Sequence, residues 1–265
     1  MSVTQPTPRT PAAFYDDLAA SYDRIYPDWE ASFRRQGDAL HAMISAGLGP
    51  GPRRILDCAV GIGTQLLGLA AHGHRLAGSD ISTAAVRRAQ AECRRRGVQA
   101  ALAAADMRAL PFARAAVEVV VCADNALPHL LTAGDVVRAL GEMRRVVKPG
   151  GLVLVTTRDY DRLRAERPPV TPLQLSRGPD GVTVTFQLWE WRPDGERYDL
   201  RHFQVTGDDD RWQVAHRRTV YWALTRAQLS GFAREAGLAT PEWRFPDETG
   251  FFQPVLLTRV PDSSR

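Results

Sequence analysis

From Arg54 onward the chain alternates short apolar runs with amphipathic stretches of helical period. The runs Arg54–Cys58, Arg75–Ser79, Gln99–Ala103, Val117–Cys122 and Leu152–Thr156 predict strands. The stretches Gln65–His72, Thr83–Arg96 and Asp135–Val147 repeat apolar residues at three- and four-residue intervals and predict helices. Short strands joined by helices specify parallel pairing with right-handed crossovers. The expected fold is therefore α/β, a doubly wound, mostly parallel seven-stranded sheet with its working edge at the carboxyl ends of the strands.

Two departures flank this alternation. Residues 1–11 are polar and rich in Pro and Thr, lack the apolar core of a signal peptide, and are expected to form a disordered leader. Ala12–Ser21 and Asp28–Ser45 have helical period, with Pro27 at a helix start, and predict an N-terminal helical cap over residues 12–50. After Tyr160 the period changes to two in Val182–Glu190, Arg197–Val205 and Trp212–Tyr221, with turns at Arg192–Gly195 and Gly207–Asp210. These predict an antiparallel insertion of about three strands, spanning 161–223 and placed to act as a lid. A helix from Thr225 to Ala236 and strands near Glu242–Phe245 and Gln253–Arg259 return the chain to a core formed by 51–160 and 224–265.

Composition narrows the class. At 265 residues and 44% hydrophobic content the chain can bury one large core. Its +4 charge is carried almost wholly by dispersed arginines, Lys148 being the only lysine, and Arg94, Arg95 and Arg96 sit where cations complement a helix end. No basic, aromatic-interleaved stripe points to nucleic acid, and no segment approaches the ~20 apolar residues of a membrane span. Cys58, Cys93 and Cys122 lack metal-ligand spacing, so reduced buried thiols, a cytoplasmic location and no metal are expected. A homo-oligomer remains open, because insertions mediate dimers as readily as they cover pockets.

The chemistry gathers at the strand ends. Strand one closes with Asp57 and runs through Ala59, Gly61 and Gly63 into a helix, small residues that let a ligand touch backbone. Asp80 and Ile81 follow the second strand, where a carboxylate can accept both hydroxyls of a ribose; the alternative is a helix cap, with Ser82 competing for it. Asp106 follows the third, placed to accept from an adenine amino group with Met107 beside the ring. Leu66 stands where a dinucleotide fingerprint has its third glycine, and an aspartate near the loop repels a pyrophosphate but suits an ammonium group. The loop thus favours a sulfonium donor over a nicotinamide cofactor.

These residues resemble the class I methyltransferase family, with Asp57 to Gly63 as its first motif. The segment Asp124-Asn125-Ala126-Leu127-Pro128-His129-Leu130 and the run from Gly150 to Asp161 resemble more narrowly the glycine N-methyltransferases. The resemblance covers most of residues 12–260. It implies S-adenosyl-L-methionine as cofactor, S-adenosyl-L-homocysteine as product, and a small-molecule acceptor. It carries Asn125 and Arg158 over as holders of an amino-acid carboxylate and Arg35, with Arg34 competing, as the arginine that grips the cofactor's carboxylate. Asp159 replaces the family's asparagine and Thr157 a histidine, so the amino-acid acceptor is the part the resemblance supports least.

Tyr22 and Asp124 join the expected cofactor contacts, and Tyr160, Tyr198 and Tyr221 the expected acceptor contacts. Methyl transfer is an in-line displacement that needs alignment and water exclusion rather than a triad. An amine acceptor held by Arg158 and Asn125 is the leading expectation. An O- or C-methyltransferase tailoring a secondary metabolite, with His129 as general base, is the alternative, and a noncatalytic cofactor binder or a nicotinamide reductase stands behind both. His129 also reads as a helix cap, and Arg158 as a partner of Asp159 or Asp161.

Overall fold

Thr10 accepts the Ala13 amide and Pro11 fills the first turn, so helix α1 (Pro11–Leu18) begins inside the stretch expected as leader. The computed structural model describes residues 10–178, 181–207 and 211–262; leader residues 1–9 and the turn acids Asp208, Asp209 and Asp210 lie outside them. A 3-10 turn, Ala19–Ile25, follows α1, and α2 (Trp29–Leu48) starts at Asp28, whose carboxylate accepts the Ala31 amide at 2.9 Å. That helix outruns its expected end by three residues and stops at Gly49, whose φ of 81° ends helical geometry.

The alternation expected from the sequence folds as β1 (Arg54–Asp57), α3 (Thr64–Ala70), β2 (Arg75–Asp80), α4 (Thr83–Arg95), β3 (Ala100–Ala104), β4 (Val117–Cys122), α5 (Ala133–Val146) and β5 (Val147–Thr156). After α6 (Tyr160–Glu166) comes a separate antiparallel sheet of β6 (Gln174–Gly178), β7 (Gly181–Trp191), β8 (Arg197–Gly207) and β9 (Trp212–Trp222). Then α7 (Arg226–Glu235), β10 (Glu242–Arg244), α8 (Pro246–Thr249) and β11 (Val255–Arg259) complete the main sheet.

That sheet has the order β10-β11-β5-β4-β1-β2-β3. The pairs from β3 through β5 are parallel, while β11 and β10 run antiparallel. Its central strands are buried on both faces. Val119, Val121, Leu152 and Leu154 pack with α2 and α3, whereas Val120, Cys122, Val153 and Val155 pack with α5 and α7. All three cysteines are buried and free. No helix among the described residues is long and apolar enough to cross a membrane.

The second sheet has four strands, not three. Strand β6 was not anticipated because its sequence, Gln-Leu-Ser-Arg-Gly, offers one apolar residue and no alternation; it forms by pairing with β7. Helices α6 and α8 were likewise unanticipated, being only seven and four residues long. The second sheet, α1 and α6 share a third apolar cluster, Phe14, Leu18, Tyr160, Trp189, Tyr198, Leu200 and Tyr221, which joins the sheet to the ends of the parallel strands.

Helices α2 and α3 touch backbone to backbone. A Cβ on Gly68 would overlap the Phe33 carbonyl and approach the Gly37 Cα at 2.8 Å. Beside this contact Trp29 Nε1 donates to Thr64 Oγ1 at 2.9 Å and Gln65 Nε2 donates to Gln36 Oε1 at 2.7 Å. Together they fix the first turn of α3 and the loop that feeds it. Gly68→Ala should therefore lower stability by about 1 to 3 kcal/mol, read as a fall in Tm, whereas Gly134→Ala, where a Cβ meets nothing within 4 Å, should not.

Candidate active site

Strand β1 delivers Asp57 to the sheet edge, and the loop beyond it turns through Gly61 (φ 51°) and Gly63 (φ 97°) into α3. Gly61 N–H donates to Asp80 Oδ2 at 2.8 Å and Ser82 N–H to Asp80 Oδ1 at 2.9 Å. The capping alternative goes to Ser82, whose hydroxyl accepts the Ala85 amide of α4. Asp80 is left facing a cavity of about 400 Å³ that Ala59, Gly61, Ile81, Asp106 and Met107 also line. Tyr15 and Tyr22, from the N-terminal segment, cover its other side.

Asp57 lies behind the loop and is 1% exposed. Its Oδ1 accepts the Ala59 amide at 3.2 Å and its Oδ2 has no partner. Burial raises its pKa to about 7, opposed by the Ala59 amide and assisted by the negative charge of Asp80. Asp106 reaches the cavity with its carboxylate already engaged: Arg108 donates to both oxygens at 2.6 to 3.1 Å and also pairs with Asp135. The hydrogen bonds from Arg108 hold the Asp106 carboxyl below its usual range. Sequence reasoning identified the acid and missed Arg108, two residues on.

Arg35 does not reach this cavity. It lies on the exposed side of α2, because Ser32, Phe33, Gln36 and Gly37 take the buried arc, and its neighbour Arg34 pairs with Glu30 at 3.3 Å. Both arginines are corrected to surface positions.

A second cavity, of about 470 Å³, shares Asp124 with the first and is lined by Tyr26, Arg158, Phe186, Gln187, His202 and Phe252 among others. Asp124 and Asn125 follow β4 with φ of 53° and 64°. Thr156 clamps this strained pair: its hydroxyl accepts the Asp124 amide at 2.9 Å and its carbonyl the Asn125 amide at 3.2 Å. Asp124 Oδ2 accepts from the hydroxyls of Tyr26 at 3.0 Å and Tyr22 at 3.4 Å. Asn125 is turned inward, its Nδ2 donating to Tyr160 Oη and its Oδ1 accepting the Arg158 amide.

Arg158 pairs with neither Asp159 nor Asp161; those acids pair with Arg226. Instead its guanidinium donates to Tyr198 Oη at 2.7 Å and Gln187 Oε1 at 3.0 Å and lies over Trp189 and Tyr221, 4.7 and 5.3 Å from their ring centroids. No carboxylate among the described residues forms an ion pair with it. Tyr160 and Tyr198, expected at the acceptor, are at most 1% exposed and bond to each other at 3.0 Å, so their place is behind Arg158, in its support. Tyr221 is bound through Tyr15.

His129 lines the first cavity. It sits in the 3-10 turn Leu127–His129, and the cap of α5 is Thr132, so the capping alternative fails. Its Nε2 lies 2.9 Å from Tyr15 Oη, which in turn lies 3.1 Å from Tyr221 Oη. Burial, reinforced by the charge of Arg158, pushes its pKa down to about 3, so the ring is neutral in ordinary buffers. Tyr26, Gln187 and His202 escaped the sequence reading because they sit among residues of packing character; His202, 3% exposed, has an Nε2 without a partner.

Residues 55–151 match a methyltransferase domain family. The chain is 29% identical to a glycine/sarcosine N-methyltransferase of Parasynechococcus marenigrum over 57% of its own length and 52% of that protein. It is 33% identical to a demethylmenaquinone methyltransferase of Beutenbergia cavernae over 56% and 58%. The chain thus spans about half the length of the curated relatives it matches. Among solved structures, the sugar N-methyltransferase KedS8 from a Streptoalloteichus species superposes with a TM-score of 0.74 at 16% identity, covering 99% of this chain and 98% of that one. The S-adenosylmethionine-bound amino pentose methyltransferase CalS10 from Micromonospora echinaspora gives 0.70 at 19%, covering 92% and 96%. The fold is the Rossmann-like methyltransferase fold.

A carboxyl raised in the folded state stabilises that state while protonated. The contribution of Asp57 is complete below about pH 4 and is lost as pH rises through about 7. Ligand-free protein should therefore lose stability relative to Asp57→Asn between about pH 4 and 7, with the two Tm curves converging on acidification through that window; parallel curves would contradict the burial of this group.

Proposed function

We propose that this chain, whose residues 55–151 are a methyltransferase domain, transfers a methyl group from S-adenosylmethionine to the amine nitrogen of a small acceptor that bears a carboxylate. The cofactor fits the first cavity. Asp57, expected to contact the cofactor, is buried behind the loop and supports it through the Ala59 amide rather than lining the cavity. Asp80, held by two backbone N–H groups, has lone pairs left for ribose hydroxyls, and Met107 and Asp106 line the adenine end. Bound there, the cofactor would supply an electrophilic methyl group on a positively charged sulfur.

The observation that carries the reading is Arg158: a partly buried guanidinium in an aromatic cage, bordering the second cavity, with only neutral partners for its hydrogen bonds. Its planar fork suits a carboxylate, and a charge left without a counterion in such surroundings is costly unless a ligand supplies one. Asn125, Tyr160 and Tyr198 act one layer back, fixing the backbone and the hydroxyl that orient it. Phe186, Phe252 and Pro172 give the cavity apolar walls, and its 470 Å³ accommodates an acceptor much larger than glycine. Tyr15 and the neutral His129 exclude water and align the acceptor. A histidine held near pKa 3 is a weak base, which favours an amine over the O- or C-methylation alternative. The second sheet and the N-terminal helices serve as lids on either side of the site.

Transfer of labelled methyl to carboxylate-bearing amines tests the proposal. Arg158→Gln should raise KM for such acceptors by roughly ten- to a hundredfold, about 1.5 to 3 kcal/mol, and leave S-adenosylhomocysteine affinity intact. Asp80→Asn should weaken that affinity by a similar factor, read by calorimetry. Transfer to hydroxyl acceptors alone, undiminished in Arg158→Gln, would overturn the reading.

A further inference from the structure

We infer that Asp124 receives the acceptor's ammonium group and takes its proton, an inference that rests on the amine-acceptor reading above. Among the described residues Asp124 is the one acid that lines both cavities, which places its carboxylate where the two spaces adjoin. Its hydrogen bonds come from the uncharged hydroxyls of Tyr22 and Tyr26, so neither oxygen is neutralised by a cation in contact. Arg158, which lines the same second cavity, supplies the opposite charge, so that space presents both signs to a zwitterion.

The backbone supports a functional rather than a packing role. Asp124 is held at φ 53° beside Asn125 at 64°, a left-handed pair that Thr156 clamps through both amides. Glycine would occupy the site without strain, and asparagine without a buried charge; the chain carries an acid there instead. Burial pushes the Asp124 carboxyl up, while the Tyr26 hydroxyl, the charge of Arg158 and the Tyr22 hydroxyl pull it back down. The titratable groups around it are therefore Tyr15, Tyr22 and Tyr26 from the N-terminal segment and Arg158 beyond β5.

The step balances. The ammonium gives one proton to Asp124, leaving a neutral amine with a free lone pair. That pair forms the N–C bond as the C–S bond breaks, and the electrons of the broken bond remain on sulfur. The product is an N-methylammonium, and Asp124 returns its proton to solvent when the product leaves.

The test compares two probes of similar shape that both present a carboxylate to Arg158: 3-(aminomethyl)benzoate, an ammonium at pH 7, and 3-aminobenzoate, whose amine is already neutral. In wild type both should accept labelled methyl. Asp124→Asn should lose transfer to the aminomethyl probe by at least about a hundredfold while keeping the arylamine within a fewfold of wild type. Its S-adenosylhomocysteine affinity by calorimetry should be unchanged, and the Tm of the ligand-free variant should hold or rise. Equal loss for both probes, no loss for either, weakened cofactor binding, or a wild type that methylates only the arylamine would each overturn the assignment of Asp124 and leave the amine reading standing. A wild type that methylates neither probe nor any other carboxylate-bearing amine overturns both.

Discussion

Parallel register is the constraint from which the site follows. Strands β3, β2, β1, β4 and β5 run in one direction, so the residues that end them meet along a single edge. Asp57, Asp80, Asp124 and Arg158, far apart in the chain, become neighbours because backbone hydrogen bonds stack their strands side by side. The same edge leaves polar backbone exposed beyond the last pairs, and the loops that cover it carry the chemistry.

Charge along that edge is sorted by position. Toward the β1 and β2 side, carboxylates dominate: Asp57 buried behind the loop and Asp80 tied to two amides. Toward β5 stands a single guanidinium stacked on aromatic rings. Asp124 lies between them. In a buried setting each charge persists only with hydrogen bonds or an opposite charge nearby, so the arrangement matches a pair of ligands in which positive and negative groups are placed in complement.

Closure comes from segments outside the parallel sheet. Tyr15 on α1 reaches His129 and Tyr221, linking the N-terminal helix to the loop after β4 and to β9. Asp16 on the same helix accepts from the Ser82 hydroxyl and the Ala84 amide, fastening α1 to the start of α4 beside Asp80. Strands β7 to β9 provide the rings that surround Arg158. The site is thus a floor of strand ends walled by two independent elements, each anchored by a few specific hydrogen bonds.

The doubly wound core was legible because its signal is local. Central parallel strands read as apolar runs, and α4 and α5 carry strong helical period, so most of their bounds fell within a residue or two, although β5 begins at Val147, five residues before its expected start at Leu152. The acids at the strand ends were legible for the same reason: a residue that follows a strand has a known address in this topology. Strand β6 was invisible, because pairing with β7 and not its own pattern makes it a strand. Arg35 was misplaced because spacing along a helix does not say which arc faces inward, and the Gly37–Gly68 contact decides that. The sequence by itself determined which residues would gather at the sheet edge. Only the tertiary structure decided which face the cavities and which support from behind, since side-chain direction, burial and the pairing of Asp159 and Asp161 with Arg226, which leaves Arg158 without an ion pair among the described residues, depend on contacts between distant segments.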